Sequence, residues 1–302
     1  MDRRRFVGNA LGAGILLSGA GRAAASTGRA AANSQSLPQA WGLQLYTVRS
    51  LMASDVERTL ADVASIGYGE VEFAGYFGRT PAQIRATLDA EGLVAPAVHL
   101  SLGELRTNFE AAVEAAVQIG HRYLVLPHLA GPDRPGNAPG EGRAEVIDGY
   151  TALADEFNRI GEACEAAGLR FAYHNHDFEL EVFEAPEEEE EEEDIRPLDI
   201  LLRNTDPDLV RFEIDFYWIV HGGGDVLEYF WLHPGRFELC HVKDRTARGQ
   251  MVDVGAGIID FEGIFERAGQ AGLLHYFVEH DTPADPLASV RASYEYLATL
   301  DG

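Results

Sequence analysis

A chain of 302 residues with 46% hydrophobic content can fill one large core, and its formal charge of −25 repels nucleic acid phosphates and anionic membrane surfaces. Eight of those charges fall in the run 187–194, so the remainder still carries −17 and the charge argues against a nucleic acid partner. A small anionic substrate is not excluded, because a single site can be locally positive.

At the N-terminus, Arg3-Arg4-Arg5-Phe6-Val7 precede an apolar stretch rich in Gly and Ala over 8–20, and Ala23-Ala24-Ala25 follow. That is the layout of a secretory signal, and paired arginines before Phe-Val predict the twin-arginine type. Residues 1–32 are therefore expected to be a signal peptide and linker, cleaved near Ala25 or Ala32, with the mature protein periplasmic or extracellular. The apolar stretch is too short to span a bilayer, so no stable membrane insertion is expected.

From about residue 40, short apolar runs alternate with longer amphipathic ones. Strands are predicted at 42–46, 70–73, 94–100, 123–127, 170–175, 210–215, 237–242 and 276–279. Helices are predicted at 55–66, 81–91, 104–119, 144–167, 197–204, 225–231, 262–271 and 286–300. Ser54 and Thr80 read as helix caps, and Gly67, Gly92, Gly120, Gly168 and Gly272 as helix stops. Eight strand–helix units with no break in composition predict an α/β fold, a single-domain (β/α)8 TIM barrel over 40–300. An open doubly wound sheet would need a Gly-rich loop after its first strand, where this chain has Leu45-Tyr46-Thr47-Val48-Arg49. The segment 184–196, with seven consecutive glutamates, cannot bury itself and is expected to be a disordered acidic loop after strand five. Cys164 and Cys240 lack metal-type spacing and read as small buried hydrophobes.

Four polar strings close strands five to eight: Tyr173-His174-Asn175-His176, Glu213-Ile214-Asp215, His241-Val242-Lys243-Asp244 and Val278-Glu279-His280-Asp281. Barrel enzymes carry their chemistry at these strand ends, and alternation selects the inward members. On strand five Ala172, His174 and His176 share a face; on strand six Asp215 points inward with Glu213 one layer deeper. On strand seven Phe237, Leu239, His241 and Lys243 share a face, and on strand eight His275, Phe277 and Glu279 do. Imidazoles and carboxylates so gathered suit one divalent cation, held by His174 or His176 with Asp215, His241 and Glu279. Mn²⁺ leads, with Co²⁺, Fe²⁺, Zn²⁺ or Mg²⁺ as alternatives. Gln44, Glu72, His99 and His128, near the ends of strands one to four, are candidate substrate contacts. Trp41, Tyr46, Phe216 and Trp218 are candidates to stack on a sugar ring.

These strings resemble those of the sugar phosphate isomerase/epimerase family, the xylose isomerase-like TIM barrels. The specific stretches are Tyr-His-Asn-His-Asp-Phe-Glu at 173–179, Ile-Asp-Phe-Tyr-Trp at 214–218, His-Val-Lys-Asp at 241–244 and Val-Gly-Ala-Gly-Ile-Ile-Asp-Phe at 254–261. The resemblance implies a metal ligand from each of strands five to eight, matched by Asp215, His241 and Glu279 on the last three. Strand five departs from the pattern: epimerases of the family carry a glutamate there, and this chain has His174 or His176, with Glu179 as a further substrate contact. In that respect it resembles the branch with inosose dehydratase-like proteins and enzymes acting on keto-glycosides.

The implied chemistry is proton abstraction next to the carbonyl of a sugar or keto-sugar, through an enediolate, in an isomerase or epimerase. Glu279 or a strand-five histidine is the expected base, and Lys243 the expected oxyanion partner. A dehydratase or keto-glycoside lyase using the same first step is the alternative, and a non-catalytic exported sugar-binding protein is a second. The expected partner is a small carbohydrate, and a homo-oligomer is compatible with the sequence.

Overall fold

Strands three to six residues long form a closed parallel barrel in the computed structural model, which describes residues 40–185 and 194–300. The expected signal peptide and the glutamate run lie outside the described residues. In chain order the barrel strands are Gly42–Gln44, Glu70–Phe73, Val94–His99, Tyr123–Leu126, Arg170–His174, Val210–Asp215, Phe237–Val242 and His275–Val278. Each pairs with the next, and the eighth closes on the first through Gly42 opposite Phe277 and Leu43 opposite Val278. The expected (β/α)8 architecture is therefore the observed one.

The barrel strands are apolar on both faces because helices cover the outside and side chains fill the inside. Within the barrel, Ala97, Tyr123, Val125, Ala172, Leu239 and Phe277 form their own apolar cluster. One step further along the strands the inward residues become polar, which starts the site. Alternation fails on strand seven, where the register shifts between Phe212 and Glu213, whose partners are Phe237 and Leu239. Phe237 therefore does not line the barrel as expected; it packs in the outer core against Phe230, at 5.8 Å between ring centroids.

Helix boundaries follow local hydrogen bonding. Thr80 caps Pro81–Glu91 in a reciprocal box with Gln83, but Asp55, not Ser54, caps Val56–Ile66, because Ser54 ends a separate helix, Arg49–Ser54. The predicted helix at 104–119 divides at Asn108 into Leu102–Thr107 and Phe109–Ile119, and that at 262–271 divides into Phe261–Phe265 and Ala268–Ala271. Elements beyond the expectation include three: Arg49–Ser54 after strand one, Phe216–His221 after strand six, and the hairpin of Asp244–Arg245 with Met251–Val252 after strand seven. All three sit at the C-terminal end of the barrel. Among the described residues no helix is long and apolar enough to cross a membrane, and both cysteines are free and buried.

Candidate active site

Asp215 ends strand six and is held from two sides: its amide donates to Asn175 Oδ1 at 3.1 Å, and its Oδ1 accepts from the amide of Trp218 at 2.9 Å. The second bond starts helix Phe216–His221, so the residue that stops the strand also caps the helix. Asp215 is in register with His241. His241 Nδ1 lies 2.8 Å from Glu279 Oε2 and 3.7 Å from Asp215 Oδ2. Lys243 Nζ stands 2.7 Å from Glu279, 3.0 Å from Asp215 and 2.9 Å from Asp281. The four polar strings thus converge.

The structure separates the strand-five histidines. His174, Asp215 and His241 each offer a ligand atom within 4.8 Å of the others, whereas His176 falls beyond the strand end, with its ring against His128, Phe178 and Trp218. A cavity of about 730 Å³ opens above, and His99, His128, His174, His176, Lys243 and Glu279 all line it.

The other expected contacts lie elsewhere. Gln44 and Glu72 are fully buried and bonded to each other, Nε2 to Oε2 at 2.8 Å, because alternation gives a side chain's direction and not its depth. Glu179 is also fully buried, accepting from the Tyr173 hydroxyl and the His176 amide. Trp218 sits with its ring centroid 5.6 Å from Lys243 Nζ. Of the ring-stacking candidates Tyr46 lines the cavity, while Trp41 and Phe216 belong to the core. Arg49 and Asp281 are among the cavity residues that fell outside the expectation. Arg49 belongs to the unforeseen first helix, and Asp281 follows Glu279 by two positions, a signal visible in its polar string.

Electrostatics fix the charge states. Burial opposes charge on Lys243, but Asp215, Glu279 and Asp281 outweigh it and hold the ammonium well above its ordinary pKa. Burial likewise works against ionised Glu279, yet Lys243 and His241 hold it well below the usual carboxylate range. Burial and the Lys243 charge push His176 well below the ordinary imidazole value, so it is neutral. Burial raises Glu179 to about 7.

The donor set fits a divalent cation. Among the described residues the buried atoms His174 Nδ1, His241 Nδ1 and Asp215 Oδ2 make no aligned hydrogen bond, although each lies in ion-pair range of a neighbour, Glu213, Glu279 and Lys243 respectively. Buried polar atoms so left are rare and point to an absent partner.

The family model for xylose isomerase-like TIM barrels matches residues 60–300. An inosose dehydratase of Geobacillus kaustophilus (strain HTA426) is 26% identical over 279 residues, 81% of this chain and 87% of that protein. A sugar phosphate isomerase/epimerase of Parabacteroides distasonis ATCC 8503 superposes with a TM-score of 0.70 at 27% identity, over 85% of this chain and 92% of that one. The IOLI protein, crystallised with a bound zinc atom, superposes with a TM-score of 0.62 at 15% identity over 87% of this chain and 98% of that one, a likeness of fold alone.

Proposed function

The chain belongs to the xylose isomerase-like TIM barrel family, and from that premise we propose a carbohydrate isomerase or epimerase, dependent on one divalent cation, that removes a proton from the carbon beside a carbonyl. Its matched relatives are named as enzymes. The convergence of Asp215, His241, Lys243 and Glu279 at the floor of one cavity, which Lys243 and Glu279 line, carries the reading.

In this reading His174, Asp215, His241 and Glu279 hold the cation, Mn²⁺ first and Co²⁺, Fe²⁺, Zn²⁺ or Mg²⁺ after it. When bound, the cation supplies Lewis-acid polarisation of the substrate carbonyl. Lys243 presents its ammonium to the oxyanion that develops as the proton leaves. Glu279 and His176 are among the proton acceptors that face the cavity. Glu279 is engaged by Lys243 and by the proposed cation, which leaves His176, outside the cation set and lining the cavity, as the acceptor in this reading.

A second reading, elimination of a β-substituent after the same step, is favoured by one observation. Strand five offers His174 where a symmetrical two-carboxylate exchange would need a glutamate, and the name of the Geobacillus relative is that of a dehydratase. Incubating the Mn²⁺-loaded protein with keto-sugars, keto-inositols and keto-glycosides in deuterated buffer tests both readings. Carbon-bound deuterium with a new epimer or isomer supports the first, and loss of water or an alcohol supports the second. No exchange with any of them leaves a sugar-binding protein. Glu279→Gln is expected to abolish exchange with the fold intact.

A further inference from the structure

Beneath the candidate cation ligands lies a second buried cluster. Glu72, His99, Glu213 and His241 bring one ligand-type atom each to within 4.8 Å of the others, and Gln44 closes the cluster from strand one. Its hydrogen bonds can be oriented one at a time. The Tyr46 amide donates to Gln44 Oε1 at 3.0 Å, which fixes that oxygen as the acceptor and turns the Gln44 amide nitrogen toward Glu72 Oε2, at 2.8 Å. A carboxylate only accepts. The neighbour of Glu72 Oε2 on its other side, His241 Nε2 at 2.8 Å, therefore carries the hydrogen. Glu213 Oε2 repeats the constraint, 3.2 Å from His241 Nε2 and 3.0 Å from His99 Nε2.

We infer that Glu72 and Glu213 are positioning residues that lock His241 with its Nε2 hydrogen pointing down into the barrel, so that Nδ1, facing Asp215 and Glu279, is the nitrogen that gives its lone pair to a cation in exchange for the hydrogen those carboxylates otherwise hold there. The turn after strand one thereby sets which nitrogen strand seven presents to the site. The second cluster is on this account a hydrogen-bonded seat and not a second cation site, because an Nε2 that carries hydrogen has no lone pair to give. The inference rests on the proposed cation dependence and adds which atom binds, what orients it and how many cations the chain takes.

Zinc titration and metal analysis of the purified protein, with long-range ¹H–¹⁵N spectra of the histidine rings in the zinc-loaded state, test it. One zinc per chain is expected, with His241 ligated through Nδ1 and a hydrogen on Nε2. Glu72→Gln and Glu213→Gln are each expected to weaken zinc binding about 10- to 100-fold while leaving the circular dichroism spectrum unchanged. Ligation through His241 Nε2, a second zinc lost on Glu72→Gln, or folded variants that bind zinc as the parent does would each overturn the inference and leave the functional reading standing. Should a variant fail to fold, the ring spectrum of the parent decides alone. A parent chain that takes up no divalent cation overturns the functional reading, and this inference with it.

Discussion

At the scale of single residues, the two strand-five histidines divide the work that the sequence assigns to either. His174→Ala is expected to cost at least about 10-fold in Mn²⁺ affinity, whereas His176→Ala keeps the cation and loses deuterium exchange. Calorimetric titration beside the exchange assay separates the two, and equal cation loss in both would refute the division. Glu179 gives a pH signature. Its folded pKa, raised by burial from 4.5 to about 7, means that the folded chain keeps a proton the unfolded chain releases. Stability therefore falls as pH rises through that window, by about 3 kcal/mol when complete. Urea unfolding at pH 5 and pH 8 is expected to show this difference in the parent chain and to show it reduced in Glu179→Gln. Asp215, His241 and Glu279 were readable in the sequence because a two-residue period places strand-end side chains on a known face. The burial of Gln44, Glu72 and Glu179 was not readable, since depth depends on where the neighbouring strands stop.

At the scale of elements, the strands were legible and the loops that begin the site were not. The strand at 210–215 was expected to end where it does, but the helix that follows was not, and it starts because the Asp215 side chain bonds the Trp218 amide. Phe237 was assigned to the wrong face because a bulge inserts one residue between paired positions, which no single-strand pattern reveals. The loop after strand seven shows how a glycine-bearing motif is used. The buried Asp244 carboxylate accepts from the amides of Gly255, Gly257 and Ile259 at 2.8–3.2 Å, folding the loop back against the residue beside Lys243. A Cβ at Gly257 would stand 2.2 Å from Asp244 Oδ1 and 2.3 Å from the Arg245 carbonyl oxygen. Gly257→Ala should therefore destabilise the fold by about 1–3 kcal/mol, read as a lower urea midpoint. An unchanged midpoint would show that the loop yields without cost.

At the scale of the whole molecule, the chain's charge of −25 leaves the barrel a poor partner for anionic polymers, and the site depends on local compensation around Lys243. We propose that the chain is exported through its N-terminal arginine pair. The Arg3→Lys, Arg4→Lys double variant is expected to accumulate in the cytoplasm, with fractionation and immunoblotting as the check. Normal export of that variant would remove the proposal. The closure of the barrel bears on the same route. Gly42 lies so close under Phe277 that an added Cβ would meet the ring at 2.5 Å, and the His280 amide donates to Thr47 Oγ1 at 3.0 Å across the same seam. Gln44 stands on one side of that seam and Glu279 on the other. Glu279 is the last of the proposed cation ligands in the chain, so that ligand set is complete only when the eighth strand closes the ring. A transporter that accepts only finished folds would, if the proposed export holds, meet the chain with its proposed cation ligands already gathered.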